Sequence, residues 1–433
     1  MSIPAPGPAL KILMTEGSSL SARQTLYSLG ANHTIDILDP APLCQGRFSR
    51  FVRRWHRCPN HAKQPQEFLQ FLVDLIGRES YDVLLPTHEQ VYLLSKYRDA
   101  FSGQIGLALP NFPAMQKLQD KAQFTRLLQQ LELPYPETDF IRTDVELMAA
   151  CHFPYYVKLA FSTAGCGVHY VTNAKELEQV VEKMNVEGLL DGHCETLVQQ
   201  PARGCQSTVQ AVFNHGRLIA AHCFEARAVG VGGMSTARVS ASHPIVLEHV
   251  AQIGSAVDWH GSLFIDYFYD DESGQPQYIE ANPRIGETVN SSLCGVNLCE
   301  RLVRLSVGEP LDRFEKADPA IQPCLTHSFM MILISMALNG AGRWALVREW
   351  GRNLLSRGLY RDSQDELTRP RQDYLSVVPL IWIGLQLLVL PRRSESIVAK
   401  TVDDYALPES AVERVHQLPD DLVDELFSQL RKT

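Results

Sequence analysis

Apolar positions in the first ninety residues fall into short runs. ALKILMTEG, HTIDILD and YDVLLPT (residues 81–87) read as buried strands, and SARQTLYSLGA between the first two has helical spacing at Leu26 and Leu29. Strand, helix and strand in that order predict a parallel sheet with crossover helices. The first turn reads TEGSSLS rather than GxGxxG, so it carries no dinucleotide assignment. Thr87 and Gln90 have the Thr-x-x-Gln spacing of a helix capping box. The competing role for the same stretch is a substrate contact by Glu89.

The pattern changes after Pro110. DKAQFTRLLQQLELPYPET predicts an amphipathic helix ended by Pro134. FPYYVKLA predicts a strand, FSTAGCGV a glycine-containing loop, and AKELEQVVEKMN a helix with i,i+3/i+4 apolar spacing. TLVQQPARG and QSTVQAVFNHGRLIAAHCFEARA predict strands, the second folding back at Asn214-His215-Gly216. GVGGMST (residues 230–236) is too rich in glycine for regular structure and reads as a mobile loop. From about residue 311 the chain reads mainly helical, with two strongly apolar segments, THSFMMILISMAL and VVPLIWIGLQLLVL. The second, residues 377–390, is shorter than the ~20 residues a spanning helix needs. It predicts a buried core helix. The alternative is an interfacial helix lying on a membrane, with Arg392 and Arg393 at its end.

Composition narrows the class. A chain of 433 residues exceeds one ordinary core and predicts two to three domains. It is 45% hydrophobic and 21% charged, as globular proteins are. A net charge of −9 argues against a nucleic-acid surface. The 10 cysteines include no CxxC pair, which argues against a disulfide framework or a zinc site and fits a reducing cytoplasm. MSIPAPGPAL lacks a basic n-region and a long apolar h-region, so no signal peptide is read.

Chemistry concentrates in GSLFIDYFYDDESGQPQYIEANPR, which reads as a hairpin with turn material DDESGQP. A turn centred on Ser273 sets Asp266 directly opposite Glu280. Like charges so placed repel, and Phe264, Ile265, Tyr267, Phe268 and Ile279 keep water from screening them. Such a pair persists by sharing a proton or holding a cation. With neutral Asn282 alongside, the oxygens suit Mg²⁺. Arg284, on the same strand face, has a fork that fits a phosphate or carboxylate. The competing reading is a surface hairpin with solvated charges. Upstream, Lys158 sits among apolar neighbours and calls for an anionic partner. Gly165 and Gly167 just after it would let backbone N–H groups approach phosphate oxygens. Cys166 between them reads as a small residue, with a redox-sensitive loop as the alternative.

Together these residues resemble the ATP-grasp enzymes, and more closely their carbamoyl-phosphate-synthase-like and carboxylate–amine ligase branch than the D-alanine ligase branch. The resemblance runs from about residue 9 to 310. DKAQFTRLLQQLELPYPET is similar to the family's DK-x-x-F-helix-x-P-x-P-x-T entry, FPYYVKLAFSTAGCGV to its strand lysine and glycine loop, and YIEANPRIGE to its IE-x-NPR motif. It implies an α/β fold in three parts: a Rossmann-like domain at 1–112, a two-lobed ATP-grasp domain at 113–310 with its small lobe at about 140–200, and a helical region at 311–433.

The resemblance also implies roles. Lys121 and Lys158 would bind ATP phosphates, and Ser162, Gly165 and Gly167 would belong to a lid over the triphosphate. Gln199, Gln200 and Ala202 would form the hinge that meets adenine. Asp266, Glu280 and Asn282 would hold Mg²⁺, or Mn²⁺. Arg284 would stabilise the transferring phosphoryl group, and Arg227 would bind a substrate carboxylate or the γ-phosphate, with a strand-end ion pair to Glu225 as the alternative. The implied activity is that of a cytoplasmic carbon–nitrogen ligase, in which a carboxylate attacks ATP to form an acyl phosphate and an amine displaces phosphate. Its partners are then small-molecule acids and amines, not nucleic acid, and a membrane is the disfavoured surface. A thiol, bicarbonate or lipid-linked acceptor, or a non-catalytic ATP-binding module, are the competing functions. The chain departs from the family in having Gln199 and Gln200 where an acidic hinge residue is common, and Gln206 where a glutamate often follows. The C-terminal region fits a packed appendage, a homodimer interface or a cradle for a lipid-like or aromatic substrate. His327 reads as structural.

Overall fold

Three sheets organise the chain in the computed structural model, which describes residues 7–150, 152–161, 167–311, 313–316 and 323–432. The first is parallel, with order β3-β2-β1-β4, where β1 is Lys11–Met14, β2 Thr34–Asp39, β3 Val52–Arg57 and β4 Val83–Leu85. The near-continuous apolar runs of β1, β2 and β4 are buried, as strands covered on both faces require. The crossover helix Leu20–Leu29 starts at Ser19, whose hydroxyl accepts from the Ala22 N–H. The expected Thr87–Gln90 capping box does not form. A helix begins at Gln90 without a side-chain cap, and the Thr87 hydroxyl donates to Glu16 at 2.6 Å. A buried carboxylate from the loop after β1 outcompetes the local backbone for that hydroxyl.

The second sheet has order β5-β8-β6-β7 and is antiparallel: β5 is Thr138–Thr143, β6 Tyr155–Leu159, β7 Val168–Val171 and β8 Asp191–Gln199. The third holds eight strands. Its path is β13-β12-β9-β10-β11-β15-β16, with β14 paired to β10. These are β9 Cys205–Asn214, β10 Arg217–Val229, β11 Ser235–Ala241, β12 Gly261–Asp270, β13 Gln275–Asn282, β14 Glu315–Lys316, β15 Leu325–His327 and β16 Gln364–Asp365. The turn between β9 and β10 falls at His215 and Gly216, as the sequence predicts.

Two expectations need correcting. Residues 230–236 are not irregular throughout. Val231–Gly233 forms a 3-10 turn, and β11 begins at Ser235. Gly232 and Gly233 take φ of 73° and 78°, which is why glycine is needed there. Hydrogen bonds from Val231 N to Ser335 Oγ and from Gln206 Nε2 to Gly233 O, both 2.7 Å, hold the turn. The chain beyond residue 311 is mainly helical, as expected, but it is more than an appendage. It adds β14, β15 and β16 to the large sheet, and its last helices return to the first sheet's side, where Phe427 meets Phe101 with ring centroids 5.6 Å apart. One apolar cluster includes Leu13, Leu38, Ile265, Tyr267 and Phe427, so N-terminal, central and C-terminal segments share a core.

Candidate active site

The hairpin β12–β13 places Asp266 directly across from Glu280, by a different route from the one the sequence predicts. Asp270 pairs with Gln275, which centres the turn between Glu272 and Ser273, and Tyr267 pairs with Tyr278. A register shift between Asp266 and Tyr267 then leaves Ile279 as the extra residue of a β-bulge and brings the two carboxylates opposite. Asp266 accepts from Thr208 Oγ1 at 2.5 Å and from Asn282 Nδ2 at 3.1 Å. Burial, reinforced by the charge of Glu280, pushes the Asp266 carboxyl up to about 7. Burial acts on Glu280 in the same direction, but the charges of Lys121 and Lys158 outweigh it and hold that carboxyl below its ordinary value.

Lys121 is the first residue of the helix Lys121–Gln130, whose preceding Asp120 caps the N–H groups of Ala122 and Gln123. Its ammonium lies 3.5 Å from Glu280. Lys158, on β6, is buried, and its Nζ donates to Gln199 Oε1 at 2.6 Å. Its partner within the protein is thus a neutral amide rather than a carboxylate, and burial lowers its pKa to about 8. Arg284 is buried too. Its Nε donates to Glu89 at 3.1 Å and its Nη2 to Asn282 Oδ1 at 3.4 Å, with the guanidinium over the Phe264 ring. Glu89 also accepts from Gln119 at 2.9 Å, so it positions Arg284.

The other sequence candidates fare differently. Ser162 and Gly165, like Cys166, lie outside the described residues. Gly167 has φ of 76°, and a Cβ there would press on the Leu159 side chain at 2.6 Å, so glycine is needed to close the β6–β7 connection. At the expected hinge, pairing continues further than foreseen. The Gln200 N–H donates to Glu137 O at 2.9 Å and so is spent within the sheet, while the Gln199 amide is shared between Lys158 and Thr138. Ala202 follows, half-buried.

Arg227 is not brought together with the carboxylate pair. It is the bulged residue between Ala226 and Ala228, is 54% exposed, and lies 3.6 Å from Glu225. Glu225 in turn lies 3.5 Å from His243, which bonds the Tyr267 hydroxyl, so this group sits on the face opposite Asp266. The strand-end ion pair is the reading the geometry favours.

Sequence reasoning passed over a second cluster on the Asp266 face. Arg238, paired with Ala226 and 2% exposed, bonds Glu287 and lies 3.2 Å from Glu366. Gln24 of the N-terminal helix donates to both carboxylates, and Thr326 and Ser328 donate to Glu366. Its parts come from five distant segments, and the available signal was Glu287, at the end of YIEANPRIGE. Among the described residues no group of three or more His, Cys, Asp and Glu side chains is placed to hold a metal. The candidate donor set is two carboxylates and an amide, all oxygen, with 31% of the Glu280 side chain exposed and reachable. That set fits Mg²⁺, which keeps the remainder of its shell for water and phosphate oxygens.

No protein-family model matches the chain. Its structure is similar to several solved ones. The biotin carboxylase domain of Hydrogenobacter thermophilus 2-oxoglutarate carboxylase, solved with MgADP, ADP and bicarbonate, has a TM-score of 0.57 and 15% identity over 71% of this chain and 72% of that one. The L-amino acid ligase of Bacillus licheniformis has a TM-score of 0.54 and 15% identity over 70% and 75%. An ADP complex of N5-carboxyaminoimidazole ribonucleotide synthetase has a TM-score of 0.58 and 12% identity over 80% and 86%. The likeness is one of fold.

Proposed function

We propose that this chain, which has the ATP-grasp fold shared by those three proteins, is a Mg-ATP-dependent ligase that converts a substrate carboxylate to an acyl phosphate and couples it to an amine, releasing ADP and phosphate. The observation that carries the reading is the meeting of Asp266, Glu280, Asn282, Lys121, Lys158 and Arg284 at one sheet face.

In this reading Asp266, Glu280 and Asn282 hold Mg²⁺, which neutralises phosphate charge when bound with the nucleotide. Asn282, whose Oδ1 accepts from Arg284 at 3.4 Å, would offer that oxygen's second lone pair to the ion. Lys158, whose hydrogen-bond partner is a neutral amide, receives a phosphate oxygen, and Lys121 does the same beside Glu280. Arg284, aimed by Glu89, meets charge that grows on the transferring phosphoryl group. Positioning and charge dominate such a transfer, and the residues supply both. Glu287, 21% exposed and paired with the buried Arg238, is the nearest charged group on the same face for a substrate to meet. The division at 112 and 310 enters the proposal with one change, that β14, β15 and β16 belong with the large sheet.

The test is to incubate the protein with Mg-ATP and pooled carboxylic acids, bicarbonate, amino acids and amines, then quantify all nucleotide and phosphate products. Pool-dependent ADP and phosphate, with an amide found on subdividing the pool, is the expected result. AMP and pyrophosphate would mean adenylation and overturn the chemistry.

A further inference from the structure

The segment spanning residues 343–393 presents an apolar face that is uncovered among the described residues. The helix Val377–Val389 buries Leu380, Gly384 and Leu387. Its other side exposes Val378, Ile381, Trp382, Leu385 and Val389. Those positions follow the i, i+3, i+4, i+7, i+11 spacing of one helical stripe. Trp382 is 61% exposed. Beside it runs the helix Arg343–Leu354, antiparallel, with Arg343 donating to Val389 O at 2.6 Å and Trp350 packed on Gly384. That helix likewise exposes Trp344, Val347 and Leu354, with Trp344 86% exposed. Both rest on the buried apolar helix Phe329–Leu338, so each turns its outer side away from the core. The expectation of a buried core helix at 377–390 holds for one side only.

Charge within the segment itself is one-sided, although Glu395, just beyond it, is also exposed. Residues 343–393 contain nine arginines, no lysine and five acidic residues, in a chain whose net charge is −9. Arg343, Arg348, Arg352, Arg357, Arg392 and Arg393 are among the exposed arginines. Four of the five acidic groups turn inward. Glu349 accepts from the Tyr360 hydroxyl at 2.7 Å and from Arg352 at 3.2 Å, Asp365 from the Leu367 and Thr368 N–H groups, Glu366 from Thr326 and Ser328, and Asp373 pairs with Arg23 at 3.2 Å. Asp362 alone of them is exposed.

We propose that this face docks the protein on an anionic lipid surface, with the Val377–Val389 helix lying in the plane of the interface. Exposed tryptophans and aliphatic side chains enter the headgroup boundary while the surrounding arginines meet lipid phosphates and carboxylates. At 13 residues the helix is about 20 Å long, and no helix among the described residues is long and apolar enough to cross a membrane. Lying flat is the arrangement its length allows. Charge complementarity selects lipid over a second copy of the chain. An isologous dimer through this face would set its arginines against the same arginines of the partner. The inference stands independently of the ligase reading.

Flotation of the full chain with phosphatidylcholine vesicles, and with vesicles of phosphatidylcholine and phosphatidylserine, tests it. Binding to the anionic vesicles at low salt, lost as salt screens the charges, is expected. Arg392→Glu with Arg393→Glu should weaken that binding roughly tenfold or more. Trp382→Glu with Leu385→Glu should abolish it, and because these side chains are exposed the melting temperature should hold. Failure to float with anionic vesicles at low salt overturns the proposal, and so does binding that both double variants retain. Self-association that Trp382→Glu abolishes, without vesicle binding, overturns it in favour of a second copy of the chain.

Discussion

On one face of the large sheet Asp266 looks across at Glu280, with Lys121 3.5 Å from the latter and Arg238 buried near by. On the other face Glu225 lies 3.6 Å from Arg227 and 3.5 Å from His243. The residue types are nearly the same, acid beside base on neighbouring strands, yet their physics differs. The front groups are crowded together, so they shift one another's protonation, while Lys158 has a neutral amide as its hydrogen-bond partner. The back pair keeps a water-exposed arginine, where an ion pair is worth about 0–1 kcal/mol. Position on the strand, odd or even, separates a charged site from a screened surface pair.

The largest effect expected from breaking this contrast is in Glu280→Gln. Turnover should fall roughly 10²–10³-fold or more, measured as ADP release. Unfolding free energy should change by less than about 1 kcal/mol. Asp266 loses an opposed charge, but Lys121 loses its carboxylate neighbour, so the stabilisation expected from charge relief alone is offset.

Next comes a pair of arginines on one sheet. Arg238→Met strands Glu287 and the buried Glu366 and should cost about 3–5 kcal/mol in denaturant unfolding. Arg227→Ala should cost less than about 1 kcal/mol and leave turnover within about threefold. Equal costs would erase the distinction between the faces.

Lys158 sharpens the front face through pH. Its folded-state pKa, about 8, lies below its ordinary value of 10.5. The unfolded chain therefore binds more protons between these values, and this group's contribution to stability rises with pH across that window. A phosphate ligand restores the charge, so nucleotide binding near pH 8 should take up roughly half a proton. Calorimetry in buffers of different ionisation heat reads that uptake, and Lys158→Met should remove it.

These contrasts mark what the sequence could disclose. The opposed carboxylates were legible because apolar neighbours flag buried strands and the turn residues bracket the hairpin. The half-residue error in the turn centre was compensated by the bulge at Ile279, which no periodicity reveals. Arg227 misled because a second bulge shifts the register between Ala226 and Ala228, and its face becomes clear only from Glu225, His243 and Tyr267. The Arg238 cluster stayed hidden because Gln24, Glu287 and Glu366 come from segments far apart in the chain. Thr87 followed a long-range carboxylate instead of its local cap. Hydropathy flagged both apolar C-terminal segments alike, yet Phe329–Leu338 is covered by three helices while Val377–Val389 keeps an open side.

The most direct test of the front-face account is calorimetric titration of ATP, with and without Mg²⁺, into the wild-type chain, Glu280→Gln and Arg227→Ala. The account predicts Mg²⁺-dependent binding in the wild type and Arg227→Ala alike, with the Mg²⁺ dependence lost in Glu280→Gln. Loss in Arg227→Ala with Mg²⁺-dependent binding kept in Glu280→Gln would place the nucleotide on the other face and contradict it.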